Sequence, residues 1–236
     1  MEDLPDHSCP PAAGFVFYSR VGLKEGPLTL WTREDDPFRN PTKVTLITPS
    51  CRPRNLEWVR QSIRFEYVAE WIIVYDGNRV DLADIDDTFA ADQPKIKQFL
   101  YQTHSYEGNA QRNYALSKIT DANTFVYFLD DDNQIHPDLY DLLDVAVPGF
   151  MYMFDQHRYV PSDPQPRTLR ADTPILKSID TAMVLVELKL MHDVEWNADY
   201  PWGGDGVFIS TVFILNRDRV VYINKILCYH NLRHKP

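Results

Sequence analysis

The sequence is poor in cysteine: Cys9, Cys51 and Cys228 are odd in number, widely spaced and form no CxxC pair. That pattern excludes a disulfide framework and a cysteine-ligated zinc site, and makes a reducing, cytoplasmic setting the expectation. Positive charge is also scarce, with 24 Lys and Arg against 34 Asp and Glu and a formal net charge of −10. A nucleic-acid binder needs a basic face to neutralise phosphates, and anionic membrane surfaces attract basic segments, so neither partner is expected. No apolar run approaches the roughly 20 residues that span a bilayer. The opening MEDLPDHSCPPAAG is acidic and proline-rich, so no secretory leader is read there. What remains is ordinary for a globular domain: 236 residues, 44% hydrophobic and 25% charged, enough to bury a sizeable core.

Residues 1–40 stand apart by their prolines and the charged patch TREDDPFRNP, and read as an N-terminal extension or cap. Within it, GFVFYSRV and LTLW are expected to form a peripheral hairpin. Residues 41–236 read as a single domain in which strand and helix patterns alternate. KVTLIT is a strand expected to stop at Pro49. NLEWVRQSIRFEYVAE is expected as a helix, with Leu56, Val59, Ile63 and Tyr67 on one face. WIIVYDG is a second strand, ending at Asp76, and KIKQFLYQ a third. NAQRNYALSKI reads as a helix, TFVYFL as a strand, and HPDLYDLLDVA as a helix with its proline early, where helices tolerate it. Further on, GFMYMFDQHRYV and TAMVLVEL read as strands around a proline-rich loop. GGDGVFISTVFIL is a helix after a glycine turn, and RVVYINKILCYH a last strand before a basic tail. Strands joined by helices predict an α/β, Rossmann-like fold with a mainly parallel, mixed central sheet flanked by helices. Ligands of such sheets bind beyond the carboxyl ends of the strands, where Asp76 and Asp130, Asp131 and Asp132 fall.

Three adjacent carboxylates at the end of a buried strand raise one another's pKa and call for a cation. Oxygen-rich sites select hard ions such as Mn²⁺ or Mg²⁺, and Mg²⁺ is held by only one or two carboxylates, its shell completed by phosphates and water. The competing reading is a helix cap, since aspartates ahead of PDLYDLL favour the positive end of the helix dipole.

The segments ITPSCRPRNLEWV, WIIVYDG, GNAQRNYAL, FVYFLDDDN and WGGDGVF occur in the order and spacing of nucleotide-sugar-dependent glycosyltransferases of the GT-A fold. The first four most resemble the animal β-glucuronyltransferases and family 2-like glycosyltransferases. The resemblance implies a nucleotide-binding half over about 41–136 and an acceptor half over about 137–236. It implies that Thr48, Pro49, Asp76, Arg112, Asp130 and Asp131 bind the donor, with Asp76 on the base. Asp132 and the C-terminal His230 would hold the metal, and Arg233 would help to neutralise the diphosphate. Asp205, between glycines, is similar to the base of inverting enzymes, with Glu195 and Asp199 in reserve; Trp202 and Asp180 fall on the acceptor side. Cys51 stands where these relatives carry a base-stacking aromatic. The implied reaction moves a sugar from a nucleotide sugar, UDP favoured, to a hydroxyl of a glycan or other acceptor. Two rivals stay open: a sugar-1-phosphate nucleotidyltransferase, though TPSCRPRNLEW lacks that family's glycines, and a catalytically silent sugar- or nucleotide-binding module.

Overall fold

The computed structural model describes residues 17–19, 42–160, 162–163, 165–172, 179–201 and 203–231. The first half runs β1 (Phe17–Ser19), β2 (Val44–Ser50), α1 (Leu56–Arg60), β3 (Val68–Asp76), β4 (Ile96–Tyr101), α2 (Asn109–Leu116) and β5 (Phe125–Phe128). The second runs β6 (Asn133–Ile135), α3 (Asp138–Val145), β7 (Met151–Arg158), β8 (Arg167–Leu169), β9 (Val184–Glu187), α4 (Gly204–Leu215) and β10 (Val220–His230). The strands form a mixed sheet in the order β1-β10-β7-β9-β5-β2-β3-β4, with β6 added to β10 and β8 to β7. β2 is parallel to β3 and β5, β3 to β4, and β10 to β7, while β9 is antiparallel to both β5 and β7. Two antiparallel steps through β9 restore the direction, so β2, β3, β4, β5, β7 and β10 all end at one edge.

The apolar strands lie at the centre of this sheet. β2 is buried along its whole length, and Leu46, Ile47, Trp71, Ile72, Ile73, Val126 and Tyr127 are fully buried. Thr48 belongs to this interior rather than to a ligand site. Its Oγ1 donates to the Leu129 carbonyl (2.6 Å) and accepts from Trp71 Nε1 (2.8 Å).

Four expectations change. β2 continues through Pro49 to Ser50. Its Ile47 carbonyl faces β5, accepting from Leu129 N at 2.9 Å, so Pro49 turns its missing N–H the same way, beyond the end of β5. No ladder bond is lost there, which is where a strand accepts proline. The helix expected from Asn55 shrinks to five residues. The Tyr140 hydroxyl accepts from Arg64 N (2.8 Å) and donates to the Ser62 carbonyl (2.7 Å), diverting backbone groups that a longer helix would use. β6 was not anticipated at all; it pairs Asn133 with His230 and Ile135 with Cys228. Of the terminal hairpin, Phe17–Ser19 instead pairs with β10, and LTLW lies outside the described residues.

Gly108 holds the start of α2 against β2. Its φ is 78°, and a Cβ built there would meet Pro49 Cβ at 2.7 Å. Gly108→Ala is therefore expected to lower the unfolding free energy by about 1–3 kcal/mol through left-handed strain and the clash. Urea denaturation would check this, and an unchanged midpoint would contradict it.

Candidate functional site

A cavity of about 710 Å³ opens along the carboxyl edge of the sheet. Its wall includes Pro49, Cys51, Arg52, Asp76, Arg79, Gln111, Arg112, the three successive aspartates, Arg158, Asp180, Asp205 and His230. These come from the ends of β2, β3, β5, β7 and β10, the starts of α2 and α4, and the approach to β9. Residues up to 181 positions apart in sequence, Pro49 and His230, meet because parallel strands share one terminal edge.

The three aspartates diverge in role. Asp131 is buried and turned into the protein: its Oδ2 accepts from Ser50 Oγ (3.0 Å), Cys51 N (3.0 Å) and Arg52 N (2.9 Å). Its Oδ1 accepts from Arg52 Nε at 2.8 Å and from the neighbouring Nη2. With both oxygens engaged, Asp131 fastens the turn after β2, where the resemblance had implied a donor ligand. Asp130 turns the other way and accepts from Arg112 Nη2 at 2.7 Å. Burial, with Asp180 and Asp132 nearby, lifts Asp130 to about 6 despite Arg112. Asp132 meets Arg52 Nη2 at 2.9 Å and lies 3.9 Å from His230 Nε2.

His230 reaches Asp132 because β6 and β10 pair, and because Asn231 N donates to the Asp132 carbonyl at 2.8 Å. Its Nδ1 donates to Asp180 Oδ2 at 3.1 Å, which directs Nε2 toward Asp132. Burial acts against charge on both partners, but that bond holds Asp180 down at about 2 and raises His230. Asp180 Oδ1 also accepts from Ala182 N at 3.0 Å. Asp180 therefore orients His230.

Arg112 is almost completely buried, lies 4.8 Å above the Trp196 ring and donates to the Glu107 carbonyl at 2.7 Å. Its Nη1 is 3.9 Å from Asp205 Oδ1, so one guanidinium stands between Asp130 and Asp205. Asp205 occupies the first turn of α4 after Gly203, whose φ of 76° turns the chain into the helix. Its Oδ1 is buried without a hydrogen-bond partner in the described structure, while 24% of the side chain is accessible. Burial, with Asp180, Asp130 and Glu107 nearby, pushes Asp205 to about 7, against the pull of Arg112. The reserve residues Glu195 and Asp199 are exposed and do not line the cavity. Trp202 and Arg233 lie outside the described residues.

Sequence reading missed Arg52, Arg79, Arg158 and Gln111. Arg52 directly follows the strand-end motif and Arg158 ends a strand, which are the available signals. Gln111 lies within GNAQRNYAL, where only Arg112 was given a role; it is buried with both amide atoms unpartnered in the described structure.

No family model and no curated protein matches the sequence. Solved structures do match in fold. S. aureus TarS 1–349 superposes with a TM-score of 0.53 at 17% identity, over 80% of this chain and 60% of that one. GalNAc-T7, solved with UDP, GalNAc and Mn²⁺, gives 0.55 at 10% identity, over 81% and 44%. Both are glycosyltransferases. The fold is GT-A. The chain thus spans 60% of the length of one neighbour and 44% of the other. The inositol-1-phosphate CTP transferase of T. maritima aligns at a TM-score of 0.43 and 11% identity, too slight a likeness to weigh. Among the described residues no helix is long and apolar enough to cross a membrane.

The divergence of Asp131 from Asp132 sets a measurable contrast. Asp131→Ala removes the partner of the Ser50 hydroxyl, of two backbone N–H groups and of Arg52 Nε, and is expected to cost about 2–4 kcal/mol of stability. Asp132→Ala, whose ion pair is partly solvated, should cost under about 1 kcal/mol. Equal urea midpoints for the two variants would contradict the assignment.

Proposed function

We propose that the protein is a metal-dependent glycosyltransferase that moves a sugar, with inversion, from a UDP-sugar to an acceptor hydroxyl. The observation that carries this reading is the convergence of Asp132, His230, Arg112 and Asp205 on one cavity of the GT-A fold.

Inversion needs a base to take the proton of the attacking hydroxyl. Asp205 suits that role, because a carboxylate whose pKa lies near 7 is both deprotonated and basic enough at neutral pH. Its accessible face lets a hydroxyl approach, and Arg112 limits how far burial raises it. Asp205 is expected to lose function on protonation, so activity disappears as pH falls through the pKa.

The leaving nucleoside diphosphate needs positive charge. Seven carboxylates line the cavity against four guanidiniums and one imidazole, so it repels an anion unless a cation enters. Among the described residues no three His, Cys, Asp or Glu side chains form a closed metal cage. An open site of two protein ligands nonetheless suits Mg²⁺ or Mn²⁺, whose remaining positions substrate phosphates fill. Asp132 and His230 fit: a carboxylate on Nδ1 fixes the imidazole so that Nε2 faces outward, the arrangement that carboxylates impose on metal-binding histidines. The ion, when bound, neutralises charge developing on the diphosphate. Asp180 orients His230, and Arg112 holds Asp130 beside the donor sugar. Asp76, at the end of β3, is the group for the base, and Pro49 lines the same cavity. The motif likeness to β-glucuronyltransferases and the UDP and Mn²⁺ in the GalNAc-T7 structure support uridine and manganese.

Calorimetry with UDP should show binding that requires Mn²⁺ and is weakened at least tenfold in Asp132→Ala. Metal-independent binding, equal in both proteins, would sink the reading. In turnover, Asp205→Asn should lower kcat by roughly 10²–10⁴-fold with UDP affinity retained, as expected for loss of a general base. For the unmodified protein, kcat/KM should fall about tenfold per pH unit on the acid side of a limb near pH 7, the pKa of Asp205. A flat profile between pH 5 and 8, or unaltered turnover in the variant, would remove Asp205 from the chemistry. Pyrophosphate instead of UDP as product would indicate nucleotidyl transfer.

A further inference from the structure

The cavity has a second charged feature, on the wall built by β7, β8 and β10. Arg158 pairs with His230 on β10 and with Arg167 on β8. Directly paired residues project from the same face of a sheet, with Cβ atoms about 5 Å apart. His230 and Arg158 both line the cavity, and the row continues outward past its lining to Arg167. Leu169, two positions from Arg167 and therefore on the same face, lines the cavity as well. The row continues on its inner side to Asn133, the residue after Asp132. Arg158 thus lies on the far side of His230 from Asp132.

Like charges directly opposite one another weaken a strand pair. Arg167 is drawn aside by Asp163, with Nε 3.1 Å from Oδ2. Arg158 is exposed, and among the described residues no carboxylate pairs with it. The other three cavity arginines do have such partners: Arg52 meets Asp132, Arg79 meets Asp76 and Arg112 meets Asp130. In a chain of net charge −10, the Arg158 guanidinium at the cavity wall concentrates positive potential where the rest of the surface repels anions.

We propose that this wall is the acceptor subsite and that the acceptor is anionic: Arg158 holds a phosphoryl or carboxylate group, and Leu169 and Ile179 cover an apolar sugar face. The assignment rests on the glycosyltransferase reading above. The donor diphosphate is directed to Asp132 and His230, one strand further in, which leaves Arg158 for the second substrate. A planar guanidinium suits either anion, since it offers paired donors to two oxygens.

The test is calorimetric titration of the full chain, loaded with UDP and Mn²⁺, with glucose 6-phosphate, glucuronate and glucose. At least one anionic sugar should bind tenfold or more tightly than glucose, and which one does separates a phosphoryl from a carboxylate acceptor. Arg158→Gln, an exposed substitution, should remove most of that preference while UDP affinity stays within about twofold. Equal binding of charged and neutral sugars, no binding of any sugar, or a preference that survives the substitution would overturn the proposal. So would a tenfold loss of UDP affinity in Arg158→Gln, which would move the arginine to the donor. If the unmodified protein fails to bind UDP with Mn²⁺, the glycosyltransferase reading falls separately. The same sugar titrations without nucleotide then still decide the wall.

Discussion

The buried carboxylate of Asp131 is the constraint on which the site depends. It collects the Ser50 hydroxyl, two successive backbone N–H groups and the Arg52 guanidinium, and so ties the end of β2 to the end of β5. With the middle aspartate committed inward, its neighbours are displayed in different directions. Asp130 meets Arg112, and Asp132 meets Arg52 and His230. Three like charges at a strand end are tolerable because Arg112 faces Asp130 while Arg52 is shared between Asp131 and Asp132.

Arg112 plays the corresponding part on the other side of the cavity. Packed over Trp196, which itself stacks on Phe208 of α4 at 4.1 Å, it couples the first turn of α2 to the start of α4. Its charge permits Asp130 and Asp205 to coexist in a poorly solvated space. The result is a carboxyl group near neutrality at Asp205 and a second, at Asp180, held strongly ionised by His230. Two acids pushed apart by their surroundings is the arrangement expected where one carboxylate must exchange a proton and another must only hold charge.

The topology explains why these groups meet. A single antiparallel strand, β9, lies between the parallel set β5-β2-β3-β4 and the parallel pair β7 and β10. It reverses direction twice, so both sets end at the same edge. The short β6 then closes the ring by bringing Asp132 alongside the last residue of β10. The two halves of the sheet consequently bring different charges to one space, with paired acids and arginines on one side and Arg158 of β7 on the other.

Local pattern alone was enough to read most of the strands, the helices α2, α3 and α4, and the strand-end position of Asp76 and Asp130 to Asp132. Burial on both faces leaves an unbroken apolar run, and a strand end must be polar to meet solvent. The same reading could not show that Thr48 is buried or that Asp131 bonds to the turn after β2, because a threonine or aspartate at a strand end looks identical whether it faces a ligand or the core. It also over-extended the first helix, since Tyr140, 76 residues from Arg64, supplies the bonds that end it. The pairing of His230 with Asp180 and Asp132, the isolation of Asp205 from Glu195 and Asp199, and the opposition of Arg158 and Arg167 are all long-range facts. They were decided only by the tertiary structure, because hydrogen bonding between strands, rather than proximity along the chain, sets which side chains share a face.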